Sequence, residues 1–459
     1  MIHLSIRLMR MVMLGLALAF AAIQPAYAQS ILRDSETELM FRDMSRPLIQ
    51  AAGLDPANVK IVLINDDEIN AFVAGGQIVY IHSGLITRAD NANQLQGVIA
   101  HELGHVAGGH IIRIGEGAKV ATGITILSLV LGAAAIAAGS ADAGLGIIAA
   151  GQRAAVGNFF AFTRAQESTS DLAGAAYLSK AGVSGKGSLD FFKKLQNQEY
   201  RLAVYAKDSY DRTHPLSSQR IESLTQVYKK DPAWDKPTDP AIEARFQRVK
   251  AKLTGFVNSK NAVTIYPESD QSVPAHYARA YAYHLGAYPD KALSEADSLL
   301  ATAPGDPFFL ELKGQILLES GRPKDAIPVL RQSVARAPDQ PMISVMLGHA
   351  LIATENADNF TEAKQVLKTA VNRDNDNPFA WLQLGIVYDR EGDRARASLA
   401  TAERNNLQGE PKLALASARM AMAGIPAGTP DFIRAQDIAL VSCAELKKDK
   451  KAKKVNCES

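Results

Sequence analysis

Gln94-Leu95-Gln96-Gly97-Val98-Ile99-Ala100-His101-Glu102-Leu103-Gly104-His105-Val106-Ala107 holds the spacing on which the reading of this chain turns. His101 and His105 are four residues apart, so on a helix both imidazoles leave one face. Leu95, Val98, Ile99 and Val106 recur at helical spacing, which predicts a helix buried along an apolar stripe. H-E-x-x-H on such a helix is a metal-binding pattern: two imidazoles hold the ion, and the glutamate beside the first reaches its water. Zn²⁺ lowers the pKa of that water to roughly 7, and Glu102 can take the proton as general base. The chemistry that follows is hydrolysis of a polarised peptide carbonyl.

Two imidazoles are too few, so a third ligand is needed. In H-E-x-x-H-x-x-G-x-x-H it would be a histidine at 111. Gly108 fits that pattern, but position 111 is Ile and His110 falls one residue short. The other source is a carboxylate on a later helix. Glu167 and Asp171 are four apart, so one can bind metal while the other hydrogen-bonds a ligand imidazole. Spacing alone allows an ordinary amphipathic helix with surface acids equally well.

Four stretches in order carry a family resemblance. They are Asn70 to Tyr80 with Gly84-Leu85, then His101 to His105, then Arg164, Glu167 and Asp171, then His214-Pro215 with Arg220. Together they resemble the M48 family of zinc metallopeptidases over roughly Ile31 to Leu224. Thr169-Ser170-Asp171 stands where that family usually has E-A-D. The resemblance implies one Zn²⁺ per chain held by His101, His105 and Glu167, with Glu102 as base. It brings the region of His214 close to the metal. His214 precedes proline and so sits in extended or turn backbone. It is a candidate oxyanion stabiliser, or a fourth ligand that keeps the enzyme latent. Asp171 supports a ligand and Arg220 orients the site. His82 and His110 are read as core or supporting residues. Gln77 to Ile81 alternates like a strand after two glycines, offering an edge to which substrate adds as a further strand.

The N-terminus has the pattern of an export signal. Arg7 and Arg10 precede the apolar run Met11 to Ala22, and Ala26-Tyr27-Ala28 is a cleavage site. A periplasmic address in a Gram-negative bacterium is expected. Of 459 residues 47 % are hydrophobic and the net charge is +2. That length allows two or more domains, and the balanced charge argues against a nucleic-acid partner. Cys443 and Cys457 can pair in an oxidising compartment. Val120 to Ala141 carries no charge and is long enough to span a membrane. A single span would separate His105 from Glu167, and a two-span hairpin would bury Arg153. A helical hairpin or lid beside the site, touching membrane peripherally, is the expectation.

Three prolines between Asp231 and Pro240 mark a domain edge. Beyond it, Gly348 follows Gly314 by 34 residues, and Pro338 follows Pro304 by the same interval. Trp381 to Tyr388 reads W-x₂-L-G-x₂-Y, the first half of a tetratricopeptide repeat, with Ala397 in place. About four such repeats are expected from Pro274 to Met422.

The expected fold is mainly α with a small β element: a gluzincin-type metallopeptidase domain followed by a tetratricopeptide solenoid. The expected divisions are a signal peptide over 1–28, peptidase over 29–230, linker and bridging helix over 231–272, repeats over 273–425 and a tail over 426–459. The combination resembles BepA-type periplasmic proteins. That likeness implies an endopeptidase and chaperone for outer-membrane proteins, with stalled outer-membrane proteins as substrates. It also implies docking of the repeats on the β-barrel assembly machinery. A mostly latent scaffold and a membrane-associated processing protease are the alternatives.

Overall fold

The computed structural model describes residues 31–137, 140–202, 214 and 218–448. The export signal and Cys457 lie outside the described residues, while Cys443 is disulfide-bonded. Strands β1 (Ile31–Leu32), β2 (Lys60–Ile64), β3 (Ala71–Ala74) and β4 (Ile78–His82) form one sheet in the order β1-β2-β4-β3. β3 and β4 are antiparallel, joined through Gly75 and Gly76 at φ 60° and 93°, a left-handed path that glycine takes without strain. β4 also pairs with β2 in parallel. The segment expected to offer an edge is therefore interior. Among the described residues the outer strands are β1 and β3.

Around the sheet pack α1 (Ser35–Ala51), α2 (Ser83–Arg88), α3 (Ala92–Ala107), α4 (His110–Ala137), α5 (Ala141–Ala181), α6 (Lys186–Leu202), α7 (Ser218–Tyr228) and α8 (Pro240–Val257). Asp34 and Asn91 cap α1 and α3 by accepting from the backbone N–H of Thr37 and Gln94. Gly182 closes α5 at φ 66°. Met40, Leu48, Val79, Ile81, Leu95, Ile99, Phe191 and Phe192 make the core, and α8 adds Phe246, Val249 and Leu253 to it.

After α9 (Ser259–Ile265) the chain is a series of helix pairs. These are α10 (Val273–Leu285) with α11 (Pro289–Thr302), α12 (Pro307–Glu319) with α13 (Pro323–Arg336), and α14 (Pro341–Ala353) with α15 (Asp358–Arg373). Then come α16 (Pro378–Arg390) with α17 (Arg394–Leu407), and α18 (Pro411–Gly424) with α19 (Pro430–Lys448). Prolines open most of these helices at the first turn, where their missing N–H costs nothing. Gly348 shows why small residues recur: a Cβ there would lie 2.6 Å from Leu367 Cγ on the paired helix. Helical structure runs further than the four repeats and the tail expected over 426–459. α19 buries Ile438, Ala439, Cys443 and Leu446.

The two halves are joined by polar contacts. Tyr277 Oη donates to Glu36 Oε2 at 2.7 Å, and Arg248 pairs with Glu36 and Asp306, each at 2.7 Å. Lys60 reaches Asp376 at 2.9 Å. A cavity of about 310 Å³ lies at this junction, lined by Lys252, Tyr281, Glu311, Met346 and Phe379 among others, away from the histidines of α3.

Candidate metal centre

α3 delivers His101, Glu102 and His105, and α5 crosses it to deliver Glu167. The crossing is close because α3 presents glycine there: a Cβ on Gly104 would lie 2.7 Å from Ser170 O. Gly174 does the same from the other side, 3.1 Å from Ala100 O. Neither glycine reads as a site residue in the sequence. Their signal was a glycine at a free position inside the motif and another seven residues after Glu167.

His101 Nε2 and His105 Nε2 are 3.1 Å apart. Glu167 places Oε2 3.4 Å from the first and Oε1 3.3 Å from the second. His214 Nδ1 lies 3.3 Å from His101 Nε2 and 3.2 Å from Glu167. All four side chains are buried, and their ligating atoms lie within 4.8 Å of one another. Donors at about 2.0–2.1 Å around a tetrahedral zinc would be roughly 3.3 Å apart. The donor set of three imidazoles and one carboxylate, at these separations, fits such an ion.

The surroundings orient the donors. Asp171 Oδ1 lies 3.0 Å from His101 Nδ1. Arg220 holds Asp171 with two hydrogen bonds, 2.7 and 2.8 Å, and lies 3.1 Å from Glu167. His110, at the root of α4, has Nδ1 3.1 Å from His105 Nδ1 and 3.1 Å from Ser170 Oγ. Burial depresses the His101 imidazole, but hydrogen bonds to Asp171 and Glu167 outweigh it and push it up to about 10. At His105 burial wins and lowers the value. A carboxylate on the far nitrogen makes a ligand imidazole more basic, the usual support for a metal histidine. Glu102 is fully buried, and among the described residues neither carboxylate oxygen has a hydrogen-bond partner. Its Oε1 lies 3.5 Å from His214 Nε2. Burial of an unbonded carboxylate is costly, which marks it as a working group. His82 lies outside this cluster, 3.7 Å from Asp66.

Peptidase family M48 matches residues 35–228. The chain carries an M48 metallopeptidase domain. The beta-barrel assembly-enhancing protease of Yersinia pestis is 26 % identical over 382 residues, which is 81 % of this chain and 76 % of the relative. Its counterpart in Escherichia coli K12 is 27 % identical over 358 residues, 76 % of this chain and 71 % of the relative. Metalloprotease LoiP of the same bacterium is 29 % identical over 172 residues, 37 % of this chain and 62 % of the relative. The chain is thus a metalloendopeptidase whose catalytic half is followed by a series of helix pairs, and the His/Glu cluster can hold its metal.

Proposed function

We propose that this chain is a periplasmic zinc endopeptidase that acts on outer-membrane proteins during their assembly, with the repeat array as its docking module. The observation that carries the chemistry is the four-donor cluster beside the buried, unbonded Glu102. The beta-barrel assembly relatives support the biological role, since they align with both halves.

His101, His105 and Glu167 would hold the zinc, one ion per chain. When bound it supplies Lewis acidity to the scissile carbonyl and acidifies the attacking water. Glu102 takes the proton of that water on a carboxylate oxygen and passes it to the leaving amine. Asp171 fixes the His101 tautomer, and Arg220 fixes Asp171. β3, an outer strand of the sheet among the described residues, is the better candidate for pairing with substrate backbone. Replacing Glu102 by Gln removes the base and keeps every ligand. Zinc should be retained, by elemental analysis, while cleavage of an unfolded substrate disappears. Normal cleavage by this variant sinks the assignment.

A second reading concerns His214. Its Nδ1 lies near enough to His101 and Glu167 to act as a fourth donor, which favours a latent resting state over an oxyanion role. His214→Ala should then raise peptidase activity. A fall in kcat with unchanged zinc would instead favour oxyanion stabilisation.

A further inference from the structure

The hairpin of α4 and α5 leaves the peptidase core and carries apolar surface into the open. Of the residues in the most apolar stretch of α4 only 11 % are buried, and of those in the corresponding stretch of α5 only 6 %. A core helix of a soluble protein would be mostly buried, and an export signal would lie at the N-terminus. These arms do neither, since they lie between His105 and Glu167.

The direction of the apolar surface matters as much as its amount. Ile126, Leu127, Leu129, Val130 and Leu131 are all exposed. At about 100° per residue these five spread over roughly 200° of the helix, and the remaining arc, with Ser128 and Gly132, packs on the second arm. A protein partner covers a narrower stripe, whereas a helix apolar on every side that its neighbour leaves open calls for an apolar surrounding phase. The seam between the arms fits the same setting. A Cβ on Gly132 would lie 2.7 Å from Gly144 O, and one on Gly117 would lie 2.5 Å from Phe162 Cδ1. Small residues that let backbones touch are how helices associate where burial from water cannot drive them together. The hydroxyls of Thr122, Thr125 and Ser128 donate to carbonyls of their own helix at 2.8, 3.0 and 2.8 Å, so they need no water.

Charge sets the depth. Arg113, Glu116 and Lys119 ring the base of α4, and Arg164 stands near their level on α5, two residues past Phe162. From Val120 outward the arm is uncharged for roughly 30 Å, close to the thickness of a bilayer's hydrocarbon. Asp142 stands at the far end, in the first turn of α5, and Arg153 lies part-way along that arm, exposed and long enough to snorkel.

The geometry points to a role for this hairpin as an anchor inserted in a phospholipid bilayer, holding the metal centre just above the lipid surface. Glu167 lies within one turn of Arg164, so the centre sits beside the charged collar. Taken with the proposed peptidase function, its substrates are then polypeptide segments presented at the membrane surface.

The test is flotation of the purified full chain with vesicles of phosphatidylethanolamine and phosphatidylglycerol. The protein should float and stay with the lipid through an alkaline carbonate wash. Leu127→Lys combined with Leu131→Lys should lower the floated fraction about tenfold or more, because two charges enter the hydrocarbon, with zinc content unchanged. Arg153→Leu should float at least as well as the parent. The proposal is overturned if the parent sediments alone or as a discrete dimer. It is equally overturned if carbonate strips the parent from lipid, or if the double lysine variant floats like the parent. Zinc content reports on the peptidase reading and flotation on the anchor, so the two can fail separately.

Discussion

The two halves of this molecule spend their sequence differently. In the peptidase half, His101, Glu102, His105, Glu167, Asp171, His214 and Arg220 converge on one buried point from α3, α5, α7 and the residues before it. In the repeat half the recurring core positions are mostly Ala and Leu, with Gly314 and Gly348 buried among them, spread along a stack of helix pairs. A point of chemistry concentrates its demands on a few atoms. A repeat stack divides them among near-equivalent contacts, each repeat resting on its neighbours. Substitutions in the first half should therefore remove function outright, and those in the second should erode stability.

The largest effect is expected at Glu167. Glu167→Ala takes the only carboxylate from the donor set, so zinc should be lost and kcat should fall by about 10³-fold or more. Elemental analysis and peptide cleavage measure this, and normal zinc content would place the third ligand elsewhere. Gly104→Ala comes next. The added methyl meets Ser170 backbone at 2.7 Å, so α5 must back away from α3. Such overpacking costs about 1–3 kcal/mol, and it should weaken zinc affinity together with unfolding stability. A loss of stability with unchanged zinc affinity would mean the crossing does not position Glu167.

Gly348→Leu sharpens the contrast from the other side. The new side chain collides with Leu367, and destabilisation of about 2 kcal/mol is expected by the same overpacking. Zinc content and cleavage of a short peptide should stay at the parent level. If activity falls in step, the halves are one cooperative unit and the contrast fails.

The smallest effect concerns pH at the junction. Burial raises the Glu311 carboxyl to about 8, Asp34 and Glu36 push the same way, and Lys252 opposes them. The folded chain then holds a proton that the unfolded chain releases above the ordinary value of 4.5. Fewer protons on the unfolded side means stability falls as pH rises from about 4.5 through 8. Because Glu311 borders the cavity and is partly screened, the loss should be about 1 kcal/mol. Thermal unfolding across that range should show the slope in the parent and a flatter curve in Glu311→Gln. Equal slopes would remove Glu311 from the account.

Much of the candidate site is legible in the sequence. The i,i+4 pairs His101/His105 and Glu167/Asp171 are readable because a helix repeats within five residues. The repeat glycines are readable because they recur at a fixed interval. The strand from Gln77 is legible as a strand but lies inside the sheet and not at its edge, since alternation reports pleat and not neighbours. In sequence His110 reads as a core or supporting residue; its contact with His105 depends on the turn between α3 and α4. The last helix pair ran on past the point where the repeat pattern fades, because Ile438, Ala439 and Leu446 bury without matching it.

Sequence by itself determined the element types, the motif on α3, the acidic pair on α5, the repeat period and the uncharged run from Val120. Each is a short-range regularity, written within one turn or at one constant interval. Only the tertiary structure decided which donors meet. It brought Glu167 across α3 at Gly104, set His214 beside it, put β4 inside the sheet, and left the α4–α5 arms outside the core. Those outcomes depend on which surfaces pack together over long chain separations, where close contact between elements, and not local spacing, selects the partner.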